Sequence, residues 1–278
     1  MYNKIAIKCN LQKESFLEWM YLMDKKPTFN QIENHREFLA ENEFFIQYFN
    51  EKLPDRYDAN CMLLKYSPTL PEFTIIEQIQ IDTQEDLEQN HLKFLWPEDT
   101  GIMPKVLDYL DQKDYKIGMQ SLYCVTKDIL EDIKINNDLK IVEVTEAQFD
   151  DFVAINLEED ALHGPSFKVH KEKMYPYQFQ LDNTTFILGY LKNKPVGSMI
   201  IFEGNDHFEI DNVLTISDFR KNKIASTLIK HVINKYGSQK ESILLVADSE
   251  DSVINLYENL GFQFISKQIT AEKENIFT

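Results

Sequence analysis

From residue 139 to residue 266, short apolar runs alternate with amphipathic ones. Burying both kinds at once requires a sheet covered by helices. Residues 139–144 are expected as a strand, and 146–159 as a helix with Phe149, Phe152, Val153 and Leu157 inward. His163-Gly164-Pro165 breaks the pattern before a second helix-like stretch over 166–180. Residues 184–191 and 195–202 are expected as a hairpin turning at Lys192-Asn193-Lys194, and 207–216 as the next strand after the turn at 203–206. A helix over 219–236 ends near Gly237, and 242–247 is a wholly apolar strand. Ser249 can cap a helix over 250–260 whose first turn carries Glu250 and Asp251, before Gly261 and a last strand at 262–266. The expected fold class is α/β (α+β), built on a mixed sheet.

The first half is less regular. Residues 59–66 and 73–81 suggest paired strands across the turn Ser67-Pro68-Thr69-Leu70-Pro71, with a helix over 106–112 and a strand over 122–125. Residues 33–49 suggest a helix with Phe38, Phe45 and Phe49 on an inward stripe. The polar stretch from Asp132 to Asp138 marks the expected boundary between domains 1–135 and 136–278. Of eight glycines only Gly101 and Gly118 precede it, whereas Cys9, Cys61 and Cys124 all do.

A formal net charge of −17, from 29 Lys+Arg against 46 Asp+Glu, argues against a nucleic-acid partner, whose affinity rests on neutralising phosphates. The cysteines have no metal-ligand spacing, and no His, Cys or Asp cluster suggests a metal. The first residues lack a secretory apolar core, and no run approaches the ~18 apolar residues of a membrane span. A cytoplasmic protein with no membrane partner is expected.

Against that acidic background, Arg220, Lys221 and Lys223 open one helix, whose apolar stripe follows at Ile224, Leu228, Val232 and Tyr236. Cations at a helix N-terminus oppose its dipole at about 0.3–1 kcal/mol each. An anion held by the free backbone N–H groups reverses the sign, so the segment suggests a phosphate site.

The run Arg220-Lys221-Asn222-Lys223-Ile224-Ala225, after Val213-Leu214-Thr215, resembles the (R/Q)-x-x-G-x-(G/A) signature of the GNAT superfamily of acetyl-CoA-dependent N-acyltransferases. Asn255-Leu256-Tyr257-Glu258-Asn259-Leu260-Gly261-Phe262 resembles the family's late l-Y-e-k-l-G-F. The chain departs from the pattern at Lys223, where the family has glycine, and at Asp251 and Ile254, where it has asparagine and a small residue. The resemblance covers about residues 139–266. Residues 110–125 are faintly similar to the family's last helix and strands, which implies a tandem protein with a degenerate N-terminal copy lacking the phosphate loop; the alternative for residues 1–135 is an unrelated accessory α/β domain.

The resemblance implies acetyl-CoA as cosubstrate, its phosphates on the amides of Lys221, Asn222, Lys223, Ile224, Ala225 and Ser226 beside Arg220. It also implies that the pantetheine arm lies along Val213, Leu214 and Thr215 like an added strand. Acyl transfer to an amine further needs a base and an acid. Alternation along the strand puts His207, Glu209 and Asp211 on one face. Glu209 lies eleven residues before Arg220, where several family members carry a catalytic glutamate. Tyr257 is the family-based acid, and His163, Tyr175 and Tyr177 fall where members build the acceptor wall. The expected acceptor is a primary amine on a small molecule or peptide, and a homodimer is compatible with the pattern. The rival expectation is a non-catalytic acyl-CoA-binding regulator.

Overall fold

A computed structural model describes residues 26–125, 133–237, 240, 242–248 and 253–277, leaving aside the side chains of 163, 165 and 166. Cys9, Asp132, the Ser249 cap, Glu250 and Asp251 lie outside the described residues.

The elements in chain order are β1 (Phe38–Glu41), β2 (Phe45–Tyr48), β3 (Met62–Leu64), α1 (Leu70–Asp86), β4 (His91–Leu95), α2 (Pro104–Gln112) and β5 (Lys116–Val125). There follow β6 (Lys140–Glu143), α3 (Glu146–Asp160), α4 (Pro165–Phe179), β7 (Thr184–Leu191), β8 (Lys194–Glu203) and β9 (His207–Thr215). The described chain closes with α5 (Ile224–Tyr236), β10 (Ser242–Asp248), α6 (Ile254–Asn259) and β11 (Gln263–Glu274). All the strands form one 11-stranded sheet in the order β1-β2-β3-β4-β11-β5-β10-β9-β8-β7-β6.

That order reads almost as a mirror about the β11–β5 pair. In each half a parallel strand pair is joined by a crossover helix, β3–α1–β4 and β9–α5–β10. A second helix and a long strand follow in each, α2–β5 and α6–β11. Each long strand lies beyond its own half. β5 pairs antiparallel with β10 and β11, and β11 pairs antiparallel with β4. The fold is thus a tandem, and strands from either side of residue 135 share one hydrogen-bonded sheet.

The C-terminal half buries both sheet faces. Ile224, Leu228, Ile229 and Val232 of α5 pack with Ile187, Met199, Ile201, Phe208 and Ile210 on one face. On the other, Phe152 and Ile155 of α3 and Met174 and Tyr175 of α4 meet Phe186, Ile200, Phe202 and Leu214. In the N-terminal half Phe73, Ile76, Val106 and Leu110 cover Met62, Leu64, Leu92, Phe94 and Trp96.

Two expectations for the first half are corrected. Residues 73–81 are the interior of α1, not a strand. Thr69 and Glu72 form a capping box and Pro71 stands in the first turn, while Phe73, Ile76, Glu77, Gln80 and Gln84 are buried at helical spacing. The Thr-x-x-Glu signal outweighs the β-branched residues after it. Residues 33–49 are not a helix but the β1–β2 hairpin. Asn42 Oδ1 accepts the amides of Phe44 and Phe45, an Asx turn that reverses the chain, and Phe38 is 66% exposed rather than inward. The helix over 106–112 and the strand over 122–125 are present in α2 and β5, and the last strand is longer than expected.

Candidate active site

β9 and β10 run side by side only through His207–Ser242, Phe208–Ile243 and Glu209–Leu244, then part. At the parting β9 bulges. Its register with β8 slips between Ser198 and Ile200, and Asn212 takes φ 51°. Asn212 Nδ2 donates to Asn156 Oδ1 at 2.9 Å, and Asn156 is itself buried against Ser198. The bulge turns the strand over, so Leu214 joins the face that holds Ile200 and Phe202. The Ile216 amide donates to Val196 of β8 at 3.1 Å. Alternation then points the main-chain groups of Thr215 and Val213 to the open edge.

The start of α5 faces that edge. Its first helical bond runs from Thr227 N–H to Lys223 O at 3.0 Å. Among the described residues the amides of Ile224, Ala225 and Ser226 therefore have no acceptor. Lys223, at the N-cap, has φ 61° and ψ 24°, and Lys221 has φ 66°. The loop thus keeps a glycine-like conformation without glycine, and the side chain at 223 is exposed. Lys223→Gly should stabilise the protein by about 1 kcal/mol through relief of the left-handed conformation, read as a higher urea midpoint; a lower midpoint would contradict the assignment. Arg220 is ion-paired with Glu159, and its Nε donates to the Thr215 carbonyl at 3.3 Å. Lys221 and Lys223 have no carboxylate within salt-bridge distance among the described residues. On β8, Gly197 lets this helix start sit close, since a Cβ would lie 2.6 Å from Ile224 Cγ2.

Strand edge and helix start enclose a cleft of about 780 Å³. Val213, Leu214, Thr215, Arg220, Lys221, Lys223, Ile224, Ala225, Ser226 and Tyr257 line it. Asn222 does not, because its amide folds back onto the carbonyls of Phe219 and Arg220. Tyr257 is 9% exposed and packs edge-on to Phe262. Asn156, Asp160, Phe167, Lys171 and Asn212 complete the wall. Neither Tyr175 nor Tyr177 is among the lining residues. Tyr175 is fully buried and donates to Asp160 at 2.7 Å, while Tyr177 packs edge-on to His35.

Glu209 lies elsewhere. It lines a second cavity, of about 480 Å³, between the halves, with Glu33, Arg36, Asn183 and His207. Only 4% exposed, it accepts the Glu33 amide at 2.6 Å. Burial first, then the Asp211 charge, push its carboxyl well above the ordinary 4.5. Glu33 is held down to about 2, chiefly by its hydrogen bond with His35. Asp211 stands on β9 between Glu209 and the bulge.

Residues 153–262 match the model of the acetyltransferase (GNAT) family, and residues 28–123 match a domain of unknown function, DUF5613. The C-terminal half carries the GNAT fold. Across both halves the chain is similar to a functionally unknown conserved protein from Staphylococcus epidermidis, with 22% identity, a TM-score of 0.84, and coverage of 90% of this chain and 99% of that one. A GCN5-related N-acetyltransferase from Kribbella flavida has 12% identity and a TM-score of 0.60, covering 86% and 89%. A tandem GNAT protein from the clavulanic acid biosynthesis pathway has 9% identity and a TM-score of 0.53, covering 84% and 79%. No curated protein matches the chain.

The crossover helix of the N-terminal half, α1, begins differently from α5. Where α5 offers open amides beside cations, the first turn of α1 holds Pro71, which has no N–H, and Glu72, whose carboxylate accepts the Thr69 amide at 2.8 Å. The chain's own carboxylate fills the place an anion would take. Among the described residues no His, Cys, Asp and Glu group could hold a metal, and no helix is long and apolar enough to cross a membrane.

Sequence reasoning missed Asn156, Lys171 and Glu33. Asn212 carried a weak signal, since asparagine tolerates φ > 0 better than most residues.

Proposed function

We propose that this protein is an N-acyltransferase that moves an acetyl group from acetyl-CoA to a primary amine on a small molecule or peptide. One observation carries the reading: the acceptor-free amides of Ile224–Ser226 and the open edge of β9 line the same cleft. The first suit a pyrophosphate, and the second suits an extended arm with amide groups. The donor set fits coenzyme A in one further respect, since Thr215 Oγ1 is buried in the cleft wall without a hydrogen-bond partner. The GNAT match over 153–262 supports the same assignment.

Within this reading Lys221 and Lys223 neutralise phosphate charge. The Val213 amide, on the open edge, is the donor for the thioester oxygen. Tyr257 protonates the departing sulfur. Glu209, whose proton affinity is raised by burial and by the Asp211 charge, is the proposed base; because it lines the other cavity, it takes the amine's proton by relay and not by direct contact. The acidic surface matches a cationic acceptor, and the cytoplasm is the proposed compartment.

Calorimetry with acetyl-CoA, followed by thiol release over a panel of primary amines, tests the function. Binding and amine-dependent release are expected, and absence of binding contradicts the proposal. Tyr257→Phe should lower kcat about 100-fold with coenzyme affinity unchanged; an unchanged kcat removes Tyr257 from the acid role.

A further inference from the structure

One amine of the protein already stands in the cleft. Lys171, on α4, lines it together with Tyr257, Val213 and the start of α5. Its Nζ lies 5.4 Å from the ring centroid of Phe167 and 5.6 Å from that of Tyr175. Among the described residues it has no hydrogen bond and no carboxylate within 4.0 Å, whereas Lys173, two positions on, is paired with Asp55 at 3.0 Å. Lys171 is therefore held by two aromatic faces and not by an ion pair, which leaves the nitrogen lone pair available once a proton leaves.

The charges facing it are Asp211 on β9, Asp160 on α3 and Arg56 from the N-terminal half. Asp160 is already engaged by the Tyr175 hydroxyl at 2.7 Å. Desolvation outweighs the two carboxylates, and the Lys171 ammonium is held below the ordinary 10.5. Burial thus enlarges the fraction of neutral, nucleophilic amine at neutral pH.

We propose that Lys171 is a self-acylation site, acetylated within its own cleft when acetyl-CoA is bound and no external amine is present. The inference rests on the acyltransferase reading above. The neutral Nζ attacks the thioester carbonyl carbon, and a C–N bond forms as the C–S bond breaks. The surplus proton on nitrogen passes to the thiolate, giving acetyl-lysine and the free thiol of the coenzyme. The modified side chain keeps its stem against Phe167 and Tyr175 but loses its cation. Asp211 and Asp160 are then left to attract an external ammonium, so the modification tunes the cleft toward cationic acceptors.

The test incubates the full-length protein with acetyl-CoA alone and maps acetylation by peptide mass spectrometry. Coenzyme binding is measured in parallel by calorimetry. Lys171 should be modified at least about 100-fold faster than the exposed Lys140, because the bound donor lies beside it. Its rate should rise with pH through a midpoint below that of an ordinary lysine. In Lys221→Glu/Lys223→Glu the selectivity should vanish while Lys140 reacts as before. Tight coenzyme binding with Lys171 unmodified, or modified no faster than Lys140, overturns the inference and leaves the acyltransferase reading standing. Absence of coenzyme binding overturns both. Lys171→Arg, which keeps the cation over the rings, should abolish the modification without loss of coenzyme affinity; lost affinity would make the residue a binding group instead.

Discussion

Reversing both free cations at the helix start, in Lys221→Glu/Lys223→Glu, should weaken acetyl-CoA binding at least about 100-fold, with the thermal midpoint unchanged or raised. Each lysine faces the cleft with no carboxylate of its own among the described residues, so each is available to a phosphate. A hydrogen bond to a charged group contributes about 1.5–3 kcal/mol, and losing two of them corresponds to a factor of about 100 or more. The stability prediction runs the other way, since glutamate at a helix N-terminus agrees with the dipole that lysine opposes. Weakened binding in a protein at least as stable separates a lost phosphate site from a damaged fold. Calorimetry and differential scanning on the same samples give both numbers, and unchanged affinity would refute the phosphate assignment.

Glu209→Gln should lower kcat about 10²–10⁴-fold at saturating amine, and it should also change how stability depends on pH. The folded-state pKa of Glu209 is raised, so the folded protein holds this proton more tightly than the unfolded chain does. The stabilisation is complete below the unfolded value near 4.5 and is lost as pH rises through the folded value. Glutamine keeps an oxygen for the Glu33 amide, never ionises, and should remove that portion of the slope. Urea midpoints from pH 4 to pH 9 would show it (~0.5-unit steps suffice to resolve a single titration). Glu33 works in the opposite sense. Its pKa is lowered to about 2, so its contribution is present above the unfolded value and lost as pH falls toward 2. A variant with flattened stability and full turnover would make Glu209 a buried structural carboxyl, with the base elsewhere.

The second half was legible because its strands and helices carry their own periodicities. The hairpin over residues 184–202, the crossover helix and the Tyr257 segment all stand close to where the pattern puts them. The first half misled where aromatic residues were weighed above turn chemistry. Asn42 and the Thr69–Glu72 box decided the local structure, and both are short polar signals set among long apolar ones. The cleft was legible along the chain but not across it. Nine of the ten residues expected to hold the coenzyme line one cavity, yet Glu209 faces another. The bulge at Asn212 and the packing of the Glu33 segment against β9 are long-range outcomes that no single-strand alternation could show. The exchange of β5 and β11 between the halves is likewise invisible to any local pattern, because each strand reads the same in either neighbour's company.

The most direct measurement is a crystal structure of the protein with acetyl-CoA bound. The pyrophosphate should rest on the amides of Ile224, Ala225 and Ser226, with the arm bonded to the open edge of β9 at Val213 and Thr215 and the sulfur near Tyr257. Coenzyme lodged in the cavity between the halves, or a cleft left empty at saturating coenzyme, would contradict the account.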